Sequence, residues 1–377
     1  MSLTGLFTDI ANAIRTKKGT TDLIPAQNFA SEIESIESGS GGTNILPSII
    51  DRSVTSLTET DLKDITTIGN YAFANCTSLN YLVIPTNITT IGNYAFSDCS
   101  ALVGQTILEK RIYIPDSVTT IGNYVFSNCK ELTNVSLSSN LSTTGERTFQ
   151  YCLALTDIDL KNVTSIGSYA FYGCGALINI TMSKVLQTIG SYAFYGCSSL
   201  ESITLPTTLK SIGNSTFQNC KKLTNVNLEN VTSIGSSAFY SCTQLGNVNL
   251  ENVTSIESSA FYDCSSLESI TLPTTLKSIG NTAFGNCTTL TDANIPSSVT
   301  TTGTQIFKSC KQLACVNINI TSFSTKITSY SNSWFNGCSS SLILHIPSSV
   351  TSPTSVYGSY WNNYGSGSNK LTYYADL

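Results

Sequence analysis

Charge is scarce in this sequence: only 11% of its 377 residues are Asp, Glu, Lys or Arg, and the net charge is −5. No block of Lys or Arg occurs, which excludes the basic surface that nucleic acid or an anionic membrane would need. Histidine appears once, at His345, so a multi-histidine metal centre is excluded and one Cys–His pair is the most that remains. Long apolar runs are also missing, and nothing approaches the roughly 20 residues that cross a bilayer. The first residues, MSLTGLFTDIANAIRTKKG, lack a continuous apolar core behind a basic start. The expectation is therefore a chain without a secretory signal, made in the cytoplasm and released by lysis. No nucleophile elbow, phosphate loop, dinucleotide fingerprint or calcium loop is found, and neither enzyme activity nor a cofactor is expected.

Cysteine, in contrast, is plentiful. Thirteen are present, a number that in a small secreted chain would signal a disulfide framework. Their spacing says otherwise. Phenylalanines at 73, 96, 126, 149, 171, 194, 217, 239, 261, 284, 307 and 335 follow one another at 22 or 23 residues, except for steps of 30 before Phe126 and 28 before Phe335. Three residues after each comes a cysteine, from Cys76 to Cys338, and only Cys315 lies outside this register.

The unit reads I-G-x-x-A-F-x-x-C-x-x-L-x-x-[IV]-x-[LI], often closed by Pro. Phe, Cys and Leu at steps of three fit one face of a helical or 3₁₀ turn. The [IV]-x-[LI] that follows fits a short strand with alternate residues buried. Glycine after the first Ile permits a tight turn. A single unit cannot bury its apolar face, so the units must stack as a solenoid. Twelve rungs at roughly 4.8 Å each give an array about 55 Å long. The fold class expected is thus an α/β repeat solenoid of about twelve 22–23-residue rungs. Over residues 64 to 347 the pattern resembles the BspA-like leucine-rich repeats of bacterial surface proteins and some phage proteins. Rung four departs from it, with Thr144 and Thr148 in place of Ile and Ala, and rung eleven carries Thr302 and Ile306 there.

The thiol column admits two readings. Redox or metal chemistry needs sulfurs that converge on a point, whereas one thiol per rung does not converge. Adjacent-rung disulfides need Cβ atoms closer than stacked side chains stand. The favoured reading is a small apolar residue filling a narrow column beside Phe and Leu.

Outside the array, Leu3, Leu6, Ile10 and Ile14 lie at helical spacing, and Pro25 can open a second helix carrying Phe29 and Ile33. Three features occur in order: the run Ile10-Ala11-Asn12-Ala13-Ile14-Arg15, then Lys18-Gly19-Thr20-Thr21, then a segment with Pro25, Phe29-Ala30 and Ile33. Together they are similar to a helical module of tail, baseplate and fibre proteins from phages of Gram-positive bacteria; an ordinary two-helix cap is the alternative. Residues 38–44, SGSGGTN, have linker composition. The expected domains are a helical attachment module at 1–37, a linker at 38–44, the solenoid with its N-terminal cap at 45–347, and an aromatic-rich C-terminal cap at 348–377.

Function is expected on the outward side of the strands. The middle residue of [IV]-x-[LI] and the residue two before it give a polar strip: Tyr81, Tyr113, Asp157, Asp159, Asn179, Thr181, Ser202, Thr204, Asn225, Asn227, Asn247, Asn249, Thr271, Asn294 and Asn317. Short side chains that both donate and accept suit hydroxyl-rich ligands or a polar protein surface; the competing reading is a neutral ladder that keeps the sheet soluble. Asp157 and Asp159 project the same way, but isolated strand carboxylates are usually just solvated. Insertions at Val103 to Arg111 and Thr321 to Ser333 are candidate specificity loops. The resemblances together imply a receptor-binding protein of a phage or phage-tail-like particle. Its partners would be a bacterial cell-surface protein or polysaccharide, and a tail or baseplate protein held through residues 1–37. The assembly it implies is a homotrimer, and the rival is a bacterial BspA-like surface adhesin.

Overall fold

The computed structural model describes residues 52–106, 108, 110–320, 334–349 and 370–374, the last segment by its backbone. The proposed helical module and linker lie outside these residues, as do the 321–333 insertion and most of the C-terminal segment. Within them the chain is a parallel β-solenoid, as expected. The strands of the [IV]-x-[LI] positions pair rung to rung in register, for example Ser202–Ile203 with Asn225–Val226 and then Asn247–Val248. Toward the C-terminal end, Asp292–Ile295, Cys315–Ile318, Ile343–Pro347 and Lys370–Tyr374 continue this face as one parallel sheet.

A second sheet runs along another side. It is made of two-residue strands that end on the Ile before the repeat glycine position, such as Ser211–Ile212, Ser233–Ile234, Ser255–Ile256 (followed by Glu257) and Ser278–Ile279. Strands this short leave no alternating pattern in the sequence, and they were not foreseen. The sheet is broken between Thr188–Ile189 and Ser211–Ile212, and also at rung four. There Thr144 and Thr148 are both buried, and the Thr148 hydroxyl donates to the Thr144 carbonyl. The Thr144 hydroxyl in turn accepts from the Gly167 amide at 3.1 Å. Both hydroxyls therefore find backbone partners inside the core, as burial requires. In rung eleven Ile306 is fully buried in the alanine's place, while the buried Thr302 hydroxyl finds no partner among the described residues.

The third side carries the Phe and Cys columns. Twelve phenylalanine rings from Phe73 to Phe335 form one continuous stack, with successive centroids 5.2–5.8 Å apart and planes within 15°. The expected i→i−3 turns are present: Cys174 N donates to Phe171 O and Tyr172 N to Tyr169 O. They do not propagate as a helix. Tyr169 and Gly173 have φ of 58° and 74°, and such left-handed residues stop 3₁₀ propagation. The alternation turns every second amide toward the next rung, where Tyr169, Phe171 and Gly173 donate to Ser191, Ala193 and Tyr195. The turn side is thus hydrogen-bonded between rungs much as a sheet is.

The cysteines contribute more than volume. Eleven of them, from Cys99 to Cys338, donate Sγ–H to the carbonyl of the phenylalanine in the preceding rung at 2.9–3.3 Å. A cysteine therefore fills an apolar column and also supplies the weak donor that this carbonyl can accept. Burial pushes the thiols up, Cys174 to about 12 and Cys129, Cys152, Cys197, Cys242 and Cys264 well above their ordinary value. Among the described residues no group of three or more His, Cys, Asp or Glu could hold a metal ion. The filler reading of the column is supported, with a hydrogen bond added to it.

The glycine after each Ile has a different role from the turn expected of it. At Gly190 the backbone is not left-handed, yet a Cβ would come within 2.4 Å of the Ser168 nitrogen in the rung before. Close approach of stacked backbones, not φ, demands glycine there. Gly190→Ala should cost about 1–3 kcal/mol by overpacking, read as a lowered denaturation midpoint.

A second consequence concerns pH. Unfolded thiols ionise near their ordinary value of 9.0 while buried ones stay protonated. Stability is at its full value below that pH; above it the unfolded chain sheds protons that the fold retains. Each buried thiol then removes up to about 1.4 kcal/mol per pH unit. Denaturant titrations should show stability falling steeply above about pH 9, with a smaller slope when several column cysteines are replaced by Ala.

Candidate functional site

The outward strip assembles as its spacing predicts. Arg111, Asn134, Asp157 and Asn179 align in one row, and Tyr113, Ser136, Asp159 and Thr181 in the next. Ser202, Asn225 and Asn247 continue the first row, and Thr271, Asn294, Asn317 and His345 the second. Between the rows, residues such as Ile158, Ile203 and Val226 are buried, because alternate side chains on a strand point to opposite faces. Cys315, the cysteine outside the repeat register, takes a strip position beside Asp292.

Hydrogen bonding divides the strip into spent and available groups. Asp157 accepts from Thr156 and Asn179, both at 2.6 Å. These bonds, with the Arg111 charge nearby, hold its carboxyl below the ordinary range. Asp159 accepts from the Lys161 amide and pairs with its ammonium at 3.2 Å. Both acids are thus engaged by neighbouring side chains or backbone. Asn227 is spent on the ladder itself: its amide bonds the Leu205 nitrogen and carbonyl at 2.6 and 3.0 Å. Asn249 caps the Glu251 amide, and Asn294 accepts from Asn319. Thr181, Ser202, Thr204, Asn225, Asn247 and Thr271 make no side-chain hydrogen bonds within the described residues, and all six are exposed. Their donors and acceptors are available to a partner.

Shallow grooves mark the same stretch. One of about 440 Å³ is lined by Asn179, Thr181, Ser202 and Thr204, with Lys184 at its margin. Another, of about 590 Å³, is lined by Asn247, Asn249, Thr271 and Pro273. A smaller one, near 190 Å³, lies among Arg111, Asn134, Asp157 and Asp159. At the N-terminal end the character changes. Leu57, Tyr81, Val83 and Leu108 line an apolar groove of about 640 Å³. The Val103 to Arg111 insertion builds one of its walls. Gly104 continues the ladder by accepting from Leu82 N; Gln105 N then donates to Arg111 O and closes a loop that leaves Leu108 92% exposed.

A further surface was not anticipated. Tyr71, Tyr94 and Tyr124 stack at 4.7 and 4.3 Å on the turn side. Tyr169 and Tyr192 stack at 4.7 Å further along the same column. The Arg147 guanidinium bridges the two groups, 5.1 Å from the Tyr124 centroid and 4.4 Å from that of Tyr169. All these residues stand two before a repeat phenylalanine. That shared position was the available signal.

The stacked parallel rungs, leucine and phenylalanine columns and outward polar strip define a leucine-rich-repeat solenoid. The chain belongs to the BspA type leucine-rich repeat family: six overlapping copies of that region match residues 18–112, 51–174, 104–198, 164–273, 187–314 and 254–357. No curated protein sequence matches it. Among solved structures it is similar to a leucine-rich repeat protein of Bacteroides ovatus, at 26% identity and TM-score 0.65, covering 86% of this chain and 84% of that one. It is also similar to a leucine-rich cell surface protein of Faecalibacterium prausnitzii, at 24% identity and TM-score 0.50, over 83% and 84%. The pneumococcal vaccine antigen PcpA shares the fold at 17% identity and TM-score 0.51, over 83% and 78%.

The division between spent and available groups is testable. Asn227→Ala should destabilise by about 1–3 kcal/mol, since it leaves two backbone groups of Leu205 without partners. Asn225→Ala, two residues away, should stay within about 0.5 kcal/mol of the parent in the same denaturation measurement.

Proposed function

We propose that the protein is a bacterial surface-recognition protein that holds a cell-surface protein or polysaccharide on the outward face of its strands. The observation that carries this reading is the run of unspent polar groups over the grooves at Asn179 to Pro206 and Asn247 to Thr274. Regularly spaced donors and acceptors on a rigid sheet lose little entropy when a partner arrives. Binding, rather than turnover, is the role that fits, because Asp157 and Asp159 are committed to neighbours. Placement on the bacterial surface, as an adhesin, draws support from the BspA type family and from the fold relative described as a cell surface protein. No helix among the described residues is long and apolar enough to cross a membrane.

A second reading places the same binding face on a phage or phage-tail-like particle, with residues 1–37 attached to the tail or baseplate. One feature favours it, the Ile10 to Arg15 and Pro25 to Ile33 segments with their likeness to tail-protein modules. Locating the native protein separates the two. Labelling on intact, unlysed cells supports the adhesin; recovery only in particles released by lysis supports the particle.

The face itself is tested with labelled full-length protein on a panel of bacterial cells. Thr181→Ala/Ser202→Ala/Thr204→Ala should leave the melting temperature unchanged and weaken binding about tenfold, equivalent to about 1.4 kcal/mol. Undiminished binding by this variant would remove the strip from the account.

A further inference from the structure

Two consecutive rungs carry nearly the same turn: Ser168-Tyr169-Ala170-Phe171-Tyr172-Gly173 and Ser191-Tyr192-Ala193-Phe194-Tyr195-Gly196. Each sets two half-buried tyrosines outside the phenylalanine core. Tyr169 stacks on Tyr192 at 4.7 Å and Tyr172 on Tyr195 at 4.5 Å, with planes 4° apart in both pairs. The two stacks lean together at 5.7 and 6.0 Å. Tyr151, 40% exposed, meets Tyr172 edge-on at 5.4 Å. Its ring lies over the bare backbone of Gly173, where a Cβ would come within 2.7 Å. No charged residue occurs in 167–177 or 190–200, and in the following rung Lys221 and Lys222 stand beyond Cys220, both exposed. The nearest cation in the column, Arg147, is paired with Glu146 at 3.1 Å.

Both stacks stop at the next rung. Ser215 and Gln218 occupy the positions of Tyr192 and Tyr195, and the column resumes with Tyr240 stacked on Tyr262 at 5.0 Å. Ser215 is too short to cover a tyrosine ring. Gln218 is half-buried, and its side-chain amide makes no hydrogen bond within the described residues. A polar group therefore stands between two tyrosine stacks with its donors and acceptor unspent.

We propose that this turn face, centred on Tyr172, Tyr195 and Gln218, is a second binding site that takes sugar rings of a neutral polysaccharide. Stacked tyrosines are rigid, so ordering them costs a ligand little. Each ring offers an apolar face with a polar rim, which matches a pyranose, whose C–H faces are apolar and whose edge carries hydroxyls. Gln218, the tyrosine hydroxyls and the flanking serines can donate to and accept from those hydroxyls. The two tyrosine rungs carry no charged side chain, which favours a neutral polymer over an anionic one. The site lies on a different side of the solenoid from the polar strip, so either can fail without the other.

Affinity electrophoresis of the full-length protein tests this, in gels containing a glucan, a galactomannan or a xylan, with polygalacturonate as the anionic comparator. At least one neutral polymer should retard the protein. Tyr172→Ala/Tyr195→Ala should weaken that retardation about tenfold or more, whereas Tyr172→Phe/Tyr195→Phe, which keeps the stack, should retain most of it. The strip variant Thr181→Ala/Ser202→Ala/Thr204→Ala should behave as the parent. If the double alanine variant does not fold by circular dichroism, Gln218→Ala removes no ring and should still weaken retardation severalfold. The proposal is overturned by no retardation in any neutral gel, by retardation in polygalacturonate alone, or by neutral retardation that survives both the tyrosine and the Gln218 changes.

Discussion

The structure depends on one contact repeated along the turn side: a phenylalanine ring against its neighbour, with a cysteine thiol closing onto the phenylalanine carbonyl of the rung before. Each inner ring, from Phe96 to Phe307, is buried between the rings of the rungs beside it, so a rung has little reason to fold alone, and stability accumulates through neighbours. The thiol matters because that carbonyl already accepts its own rung's cysteine amide and keeps a second lone pair inside an apolar layer. A serine would be more strongly polar in that setting and an alanine would leave the lone pair unmet. Cysteine meets both needs.

With rigidity supplied on the turn side, the strand side is relieved of it. Its outward residues need not pack, and several are spared even from ladder hydrogen bonds. Asn227 and Ser202 show the contrast: one is consumed in bridging Leu205, while the other, a neighbouring position on the same face, is exposed and unengaged. A surface of this kind can vary in sequence without cost to the fold. The exact recurrence of LESITLPTTLKSIGN at 200–214 and 267–281 accords with a scaffold in which whole rungs are interchangeable.

Much of this was legible in the sequence, and for a physical reason. The Phe, Cys and Leu columns repeat because each rung must match the next, so twelve copies of one constraint stand out. The outward strip followed from strand alternation. The second sheet did not, because two residues per rung leave no period to read. The left-handed turn positions were hidden by their variety: Tyr169, Ser237, Asp263 and Gly173 all serve, since the demand there is on backbone shape and inter-rung amides rather than on side-chain type. The tyrosine columns were hidden because the position two before each repeat phenylalanine is Tyr in only five of the twelve rungs and Arg, Ser, Thr or Gln in the others. Which groups of the strip are free, Ser202 but not Asn227, rests on hydrogen bonds across rungs that no local pattern encodes.

The central claim, that the turn side holds the rungs together, is tested most directly by native-state amide hydrogen exchange on the full-length protein. The inter-rung amides of Phe149, Phe171, Phe194 and Phe217 should be among the slowest to exchange and should open together, with a common free energy near that of global unfolding. Exchange of these amides one rung at a time, or faster than the strand amides of Ile203 and Val226, would contradict it.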